Sequence, residues 1–339
     1  MGICSRQVLN YYSGEVTTAP FLIIALLKGK ITMSKFAIVF PGQGSQALGM
    51  LAELGETFDV VKQTFAEASE VLGYDLWALT QNGPAEDLNQ TFRTQPALLA
   101  SSVAIWRVWQ EQGLAQPENL AGHSLGEYSA LVCAGVIDFK QAIKLVELRG
   151  QLMQEAVPAG VGAMYAIIGL ADDAIAKACE EAAQGEVVSP VNYNSPGQVV
   201  IAGNKAAVER AGALCKEAGA KRALPLPVSV PSHCALMQPA ADKLAIALQD
   251  IEFNTPVVPV INNVDVIAET DPENIKKALV RQLHSPVRWT EGVQKMNDDG
   301  IEKLYELGPG KVLTGLTKRI VKTLTAAAVN DVASLEAAK

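Results

Sequence analysis

The sequence predicts an α/β fold in which a small strand-rich unit is inserted into a larger frame of strands and helices. Three observations lead there. From residue 36 onward, short apolar runs alternate with longer stretches of helical periodicity. Between about 162 and 228 the order changes to β-α-β-β-α-β. That stretch is bracketed by VPAGVG (157–162) and PVSVPS (227–232), whose prolines and glycines suit crossings between domains.

Each element follows from its pattern. FAIVF (36–40) is apolar without interruption, as a strand buried on both faces should be. A helix is expected over 54–72, and QPALLASSVAIWRVWQEQG (95–113) is a second, long and apolar. LAGHS (120–124) reads as a short strand entering a tight turn, and GEYSALVCAG (126–135) as the helix after it. Residues 138–156 form a further helix with Asp138 at its N-cap. The inserted unit then reads GAMYAIIGL (strand), ADDAIAKACEEAAQ (helix), VVSPVNYN and QVVIAGN (strands), AAVERAGALCKEAG (helix) and KRALPLPV (strand). This is the order of the ferredoxin-like split βαβ unit. The main frame resumes with a helix at 237–250, a strand at 256–262, another helix, a strand at KLYELG and a final helical stretch. The expected layout is a main domain of 33–157 and 230–339, interrupted by a small domain of 158–229.

Composition narrows the function. The chain has 339 residues, 49% hydrophobic and 19% charged, which is globular and not disordered. A net charge of −8 argues against nucleic acid as a bulk partner, but permits small anionic substrates where a local cation receives them. Cys4, Cys133, Cys179, Cys215 and Cys234 are odd in number and contain no C-x-x-C pair, which suits a reducing, cytoplasmic setting. The three histidines do not cluster with them, so no structural zinc is expected. The apolar run APFLIIALL has nine residues, far short of the roughly 20 that span a membrane. It is followed by KGK where a cleavable signal would carry small residues. Residues 1–32 are therefore read as an extension with no part in the fold, and Met33 as the natural start.

Two glycine motifs compete for the chemistry. In FPGQGSQALGM (40–50), Gly42, Gly44 and Ala47 fit the spacing of a dinucleotide-binding turn. Such a fold needs a second strand ending in an acid about 20 residues on, whereas 50–72 looks helical. GPGK (308–311) likewise lacks the spacing and the Ser/Thr of a phosphate loop. What remains at 40–50 is a turn whose bare amides can face a cleft, as an acyl oxyanion requires.

The second motif, GHSLG (122–126), sits between an expected strand and an expected helix, the setting of a nucleophile elbow. Its bland alternative is a plain turn with Ser124 as a cap. A nucleophilic serine needs a base. His123 adjoins it too closely in sequence, and His284 lies in a segment that no pattern ties to the elbow. His233 is favoured, because it ends the run that returns from the inserted unit. No acid stands out as a third member. Arg149 interrupts the apolar stripe Ala142, Leu145, Val146, Leu152, Met153 and Ala156. A guanidinium buried there needs an anion. Either a carboxylate within the fold supplies it, or the fork is held open for a substrate carboxylate.

Taken in order, FPGQGSQ, GHSLGEY, the arginine in ELRGQLMQ, NYNSPGQVVIAG, VPSHCALM, VRQLHSPVRW and ELGPGKVLTGL resemble the malonyl-CoA:acyl carrier protein transacylase family, the FabD type of bacterial type II fatty acid synthesis. The likeness covers about 35–320; the family lacks the 32-residue extension. It implies an α/β-hydrolase-like main domain with a ferredoxin-like insert. It also implies Ser124 as nucleophile, His233 as base and Arg149 as the clamp on the malonyl carboxylate. The amides of Gln43 and Leu125 would form the oxyanion hole. The backbone carbonyl of Gln282 would orient the histidine in place of an acid. Asn194 and Ser232 match positions lining the pocket, as does Gln43. The implied substrates are malonyl-CoA and the phosphopantetheinylated acyl carrier protein, used in a ping-pong reaction with no bound cofactor or metal. The acidic carrier protein is expected near Lys311, Lys318, Arg319 and Lys322, whose alternative is a solvated helix face. The rival readings are a serine thioesterase or esterase, a non-catalytic carrier-protein-binding subunit, and an acyltransferase excised from a larger synthase. Without fused partners in the chain, a free-standing enzyme is expected.

Overall fold

The computed structural model describes residues 35–228 and 230–339. The expected extension 1–32, with Cys4, lies outside them. In chain order the strands are β1 Phe36–Phe40, β2 Asn119–Gly122, β3 Gly162–Ile168, β4 Val188–Ser195, β5 Gln198–Asn204, β6 Arg222–Pro225, β7 Val260–Ile261, β8 Lys303–Leu307 and β9 Thr325–Val329. They form a five-stranded sheet of order β7-β2-β1-β8-β9 and a four-stranded sheet of order β4-β5-β3-β6. The first is parallel throughout and the second antiparallel throughout.

β1 lies at the centre of the parallel sheet, which explains its unbroken apolar run. Ile38 and Phe40 enter one core with the long helices, while Ala37 and Val39 enter a second core on the opposite face. The register aligns Phe40 with Gly122, so β1 and β2 end side by side. The turns that follow them meet at the carboxyl edge of the sheet, where α/β folds gather their ligands.

The helix Phe139–Ala156 begins where expected, because the Asp138 side chain accepts from the Gln141 amide at 3.1 Å. Other boundaries differ. The stretch 54–72 is two helices, Ala52–Thr57 and Asp59–Leu72, with Phe58 extended between them. The 95–113 helix starts earlier, at Thr91, and carries Pro96 inside it. Proline usually marks a first turn, which is why the pattern pointed to a later start. The strand expected at 256–262 shrinks to Val260–Ile261, since Pro256 and Pro259 offer no amide and Val257 is 79% exposed. β9, with the sequence TAAAV, was not anticipated, because alanine carries little strand signal.

The inserted stretch follows its expected order. The helices Asp172–Ala183 and Lys205–Glu217 cover one face of its sheet around Ile167, Val199 and Ile201. The other face, with Met164, Val191 and Val200, packs beside Cys234. β4 is tied to the chain beyond the helix Pro272–His284. The Tyr193 amide donates to the Val287 carbonyl at 3.0 Å, and the Val287 amide to the Val191 carbonyl at 2.8 Å. Among the described residues no helix is long and apolar enough to cross a membrane.

Candidate active site

The turn after β2 is tight enough to exclude any side chain at its two outer glycines. A Cβ on Gly122 would lie 1.9 Å from the Gly126 carbonyl carbon, and one on Gly126 would lie 2.1 Å from the Phe40 oxygen. Between them Ser124 adopts a left-handed φ of 51°, a strained conformation for serine. Its amide donates to Asn263 Oδ1 at 2.8 Å. The hydroxyl is thereby presented at the N-terminus of the helix Gly126–Cys133, at the floor of a cleft.

His233 completes the pair. Its Nε2 stands 2.7 Å from Ser124 Oγ, and its Nδ1 stands 2.7 Å from the Gln282 carbonyl oxygen. A carbonyl can only accept, so Nδ1 carries the proton and Nε2 presents its lone pair to the hydroxyl. The ring is 3% exposed. Desolvation, reinforced by the Arg149 cation, pulls its pKa down to about 3, so the ring stays neutral and able to accept a proton. His123 also borders the cleft, but its Nε2 is engaged with Asn194 Oδ1 at 2.8 Å. His284 sits half-buried at the end of the helix Pro272–His284 and does not line the cleft.

Arg149 is 1% exposed, and its partners are neutral. Nη1 donates to Gln95 Oε1 at 2.8 Å, and Nη2 donates to Gln282 Oε1 at 3.1 Å and Ser124 Oγ at 3.4 Å. Its guanidinium carbon lies 5.3 Å from the centre of the Tyr128 ring. No carboxylate among the described residues forms an ion pair with it. The internal ion pair left open by the sequence is therefore absent there. A buried cation beside a nucleophile, lined by the cleft, is receptive to an incoming carboxylate.

The remaining expected residues fall as follows. Gln43 is exposed and lines the cleft, and neither its amide nor that of Leu125 meets an acceptor among the described residues. Ser232 lines the cleft. Asn194 reaches it through His123. Lys311, Lys318, Arg319 and Lys322 are all exposed on or beside the helix Val312–Ile320, and Arg319 is bonded to Gln198 at 2.5 Å.

Sequence reasoning missed four participants. Asn192 lines the cleft with a buried Oδ1 that has no partner among the described residues; strand alternation from Asn194 could have found it. Gln95, Asn263 and Glu127 support Arg149 and the elbow. Of these only Glu127 carried a signal, an acid at the second position of an otherwise apolar helix.

A family model described as the acyl transferase domain matches residues 37–337. The malonyl CoA-acyl carrier protein transacylase of Escherichia coli strain K12 is 70% identical over 306 residues, covering 90% of this chain and 99% of that protein. The chain belongs to the acyl transferase family, in its malonyl CoA-acyl carrier protein transacylase branch. The family likeness extends to Bacillus subtilis, whose transacylase is 47% identical over 307 residues, 90% of this chain and 96% of that one. Among solved members, the acyl carrier protein S-malonyltransferase of Vibrio cholerae is 82% identical, with a TM-score of 0.89 over 90% of this chain and all of that one. A malonyl-transacylase solved in complex with a type II PKS acyl-carrier protein is 72% identical, with a TM-score of 0.90 over 90% of this chain and 99% of that one.

Proposed function

We propose that this cleft transfers a malonyl group from malonyl-CoA to the phosphopantetheine thiol of acyl carrier protein through a malonyl-serine intermediate, supplying fatty acid synthesis. The observation that carries the reading is the Ser124–His233 contact of 2.7 Å beside a buried guanidinium with only neutral partners.

In the first half-reaction Arg149 receives the malonyl carboxylate and sets the thioester carbonyl over Ser124. Oγ attacks the carbonyl carbon as Nε2 of His233 takes its proton. The oxyanion forms between the Gln43 and Leu125 amides. When the tetrahedral intermediate collapses the carbon–sulfur bond breaks, and His233 returns the proton to the CoA sulfur. In the second half the carrier thiol gives its proton to His233, and its sulfur attacks the serine ester. The carbon–oxygen bond breaks, and Oγ recovers the proton. Throughout, the Gln282 carbonyl holds the ring by Nδ1, doing the orienting work of an acid. The steps call on no resident cofactor. Asn192, Asn194 and Ser232 shape the wall along which the acyl arm enters.

The domain reading belongs to the same proposal. Residues 33–157 and 230–339 form an α/β-hydrolase-like domain, supported by the all-parallel sheet and its serine elbow. Residues 158–229 form a ferredoxin-like insert, supported by the strand order β4-β5-β3-β6. Buried, unpaired Cys133, Cys179, Cys215 and Cys234 support a cytoplasmic location.

Intact-protein mass after brief incubation with malonyl-CoA tests the proposal. A malonyl increment on Ser124 that moves to added holo carrier protein is expected. Its loss to water at the same rate without carrier would make the protein a thioesterase, and no increment would leave a carrier-binding subunit.

A further inference from the structure

Glu127 is a carboxylate buried at the heart of the site, and none of the steps above uses it. Its Oε2 accepts from the Asn263 amide at 2.9 Å and from Gln282 Nε2 at 2.8 Å. The other end of the same Gln282 amide, Oε1, accepts from Arg149 Nη2 at 3.1 Å. The Gln282 backbone carbonyl in turn accepts from His233 Nδ1. We infer that Glu127 is a specificity-determining positioning residue: by fixing which end of the Gln282 amide faces Arg149, it holds the guanidinium in place while leaving its charge open for the substrate carboxylate.

The chemistry of the groups gives the direction. A carboxylate is acceptor-only, so it forces the NH2 end of Gln282 toward itself and the carbonyl end toward the cation. Were the amide reversed, its NH2 would oppose the guanidinium, and Oε1 would oppose both Glu127, the closer and charged acceptor at 2.8 Å, and the Ser124 carbonyl, which accepts from Nε2 at 3.1 Å. The intervening amide also matters. A direct Glu–Arg pair would neutralise the fork and compete with malonate for it. Instead the negative charge stands one amide away, where it supports the cation without occupying its donors. The second contact, through the Asn263 amide, steadies the residue whose Oδ1 receives the Ser124 amide and whose Nδ2 donates to the Gly122 carbonyl at 2.7 Å. One carboxylate thus ties the clamp to the elbow. Burial raises the carboxyl's pKa, and the bonds from Gln282 and Asn263 and the nearby Arg149 charge oppose that rise and favour the carboxylate.

The inference rests on the clamp reading of Arg149, and the test separates the two. The readout is the ratio of kcat/KM for malonyl-CoA over acetyl-CoA in Ser124 acylation, with a melting curve for each variant. Glu127→Ala is expected to lower the ratio at least tenfold, and Glu127→Gln, whose amide oxygen can accept the same two donors, to keep it within about threefold of wild type. Gln282→Met keeps the backbone carbonyl for His233 but removes the linking amide, and is expected to lower the ratio by a similar factor. In the double variant Glu127→Ala/Gln282→Met, the ratio is expected to fall no further than in Gln282→Met alone, because one acts through the other. Equal losses on both donors, or additive losses in the double variant, would reduce Glu127 to a support of the fold and overturn the inference. Should Glu127→Ala not fold, Gln282→Met still decides, since a retained malonyl preference would show that no relay exists. Arg149→Ala in the same assay reports the clamp itself. If that variant keeps the malonyl preference, the clamp reading fails, and the Glu127 inference falls with it for that separate reason.

Discussion

Two buried charges, Arg149 and Glu306, show opposite ways of being accommodated. Glu306, the last residue but one of β8, is fully enclosed, yet three fixed donors meet its carboxylate. These are the Leu313 amide at 3.0 Å, the Thr314 amide at 2.7 Å and the Thr314 hydroxyl at 2.7 Å. It caps the first turn of the helix Val312–Ile320, and its charge is answered within the fold. Arg149 is equally enclosed, but it meets only an amide oxygen at each end and a hydroxyl. Both oxygens of the carboxylate are met; the guanidinium is met only in part. A buried charge points to function when its own fold leaves part of it unmet, as at Arg149, whose Nε finds no partner among the described residues.

The sharpest break of this comparison exchanges each charge for an apolar side chain of similar size. Arg149→Met is expected to lower kcat/KM for malonyl-CoA about a thousandfold, because a fully desolvated charge pair is worth about 4 kcal/mol. Acetyl transfer should fall by no more than about tenfold, since the serine and its base remain. Equal losses on the two donors would make Arg149 as structural as Glu306. Glu306→Leu should do the converse. It strands three buried donors and is expected to cost about 3 kcal/mol of stability, while the malonyl preference of the folded fraction persists. Denaturant unfolding of both variants decides it, and a larger stability loss from Arg149→Met than from Glu306→Leu would reverse the assignment.

A second way to sharpen the contrast is through pH, because the open charge is felt by its neighbour. His233 is held near pKa 3 by desolvation first and by Arg149 second. The unfolded chain binds this proton below about 6.5, whereas the folded one does not until about 3. This group therefore adds stability that is present above 6.5 and lost as pH falls toward 3. In kinetics, the acid limb of kcat/KM, which reports the free enzyme, should lie below pH 5 and not near 6.5. Arg149→Met should move that limb upward by about one unit as the cation is removed. A wild-type limb at 6.5 would mean that the ring is hydrated and the cleft far more open than its burial implies.

What the sequence disclosed, and what it withheld, follows the same division. Ser124 and Arg149 were legible because each breaks a local rule, a serine in a glycine elbow and a cation on an apolar stripe. His233 was legible only by its place at a crossing, and by the family likeness. The strand order of the inserted unit was visible because its periods of two and 3.6 residues alternate cleanly. Gln95, Asn263 and the side chain of Gln282 were not visible. Neutral amides are ordinary anywhere in a chain, and their roles arise from contacts spanning 54, 139 and 133 residues. Prolines blurred the start of the Thr91–Glu111 helix and hid how short β7 is, while the alanines of β9 gave no strand signal at all.

The weakest expected effect concerns charges that are exposed, unlike the two enclosed ones. A chain of net −8 that receives an acidic carrier protein needs a local positive surface, and Lys311, Lys318 and Lys322 offer one around the helix that Glu306 caps. Arg319 is left out of the test because it is bonded to Gln198. Reversing the three lysines to glutamate is expected to raise KM for holo carrier protein about three- to tenfold at low ionic strength, since exposed pairs contribute at most about 1 kcal/mol each. The difference should vanish at high salt, where the Debye length shrinks to about 3 Å. Intact-mass acylation by malonyl-CoA, measured alongside, distinguishes a docking defect from damage to the cleft. A KM that does not move at low salt would return these lysines to a solvated helix face. The carrier would then have to approach over another part of the rim, such as the wall formed by β6 and the chain that follows it, where Leu226 and Val228 line the cleft.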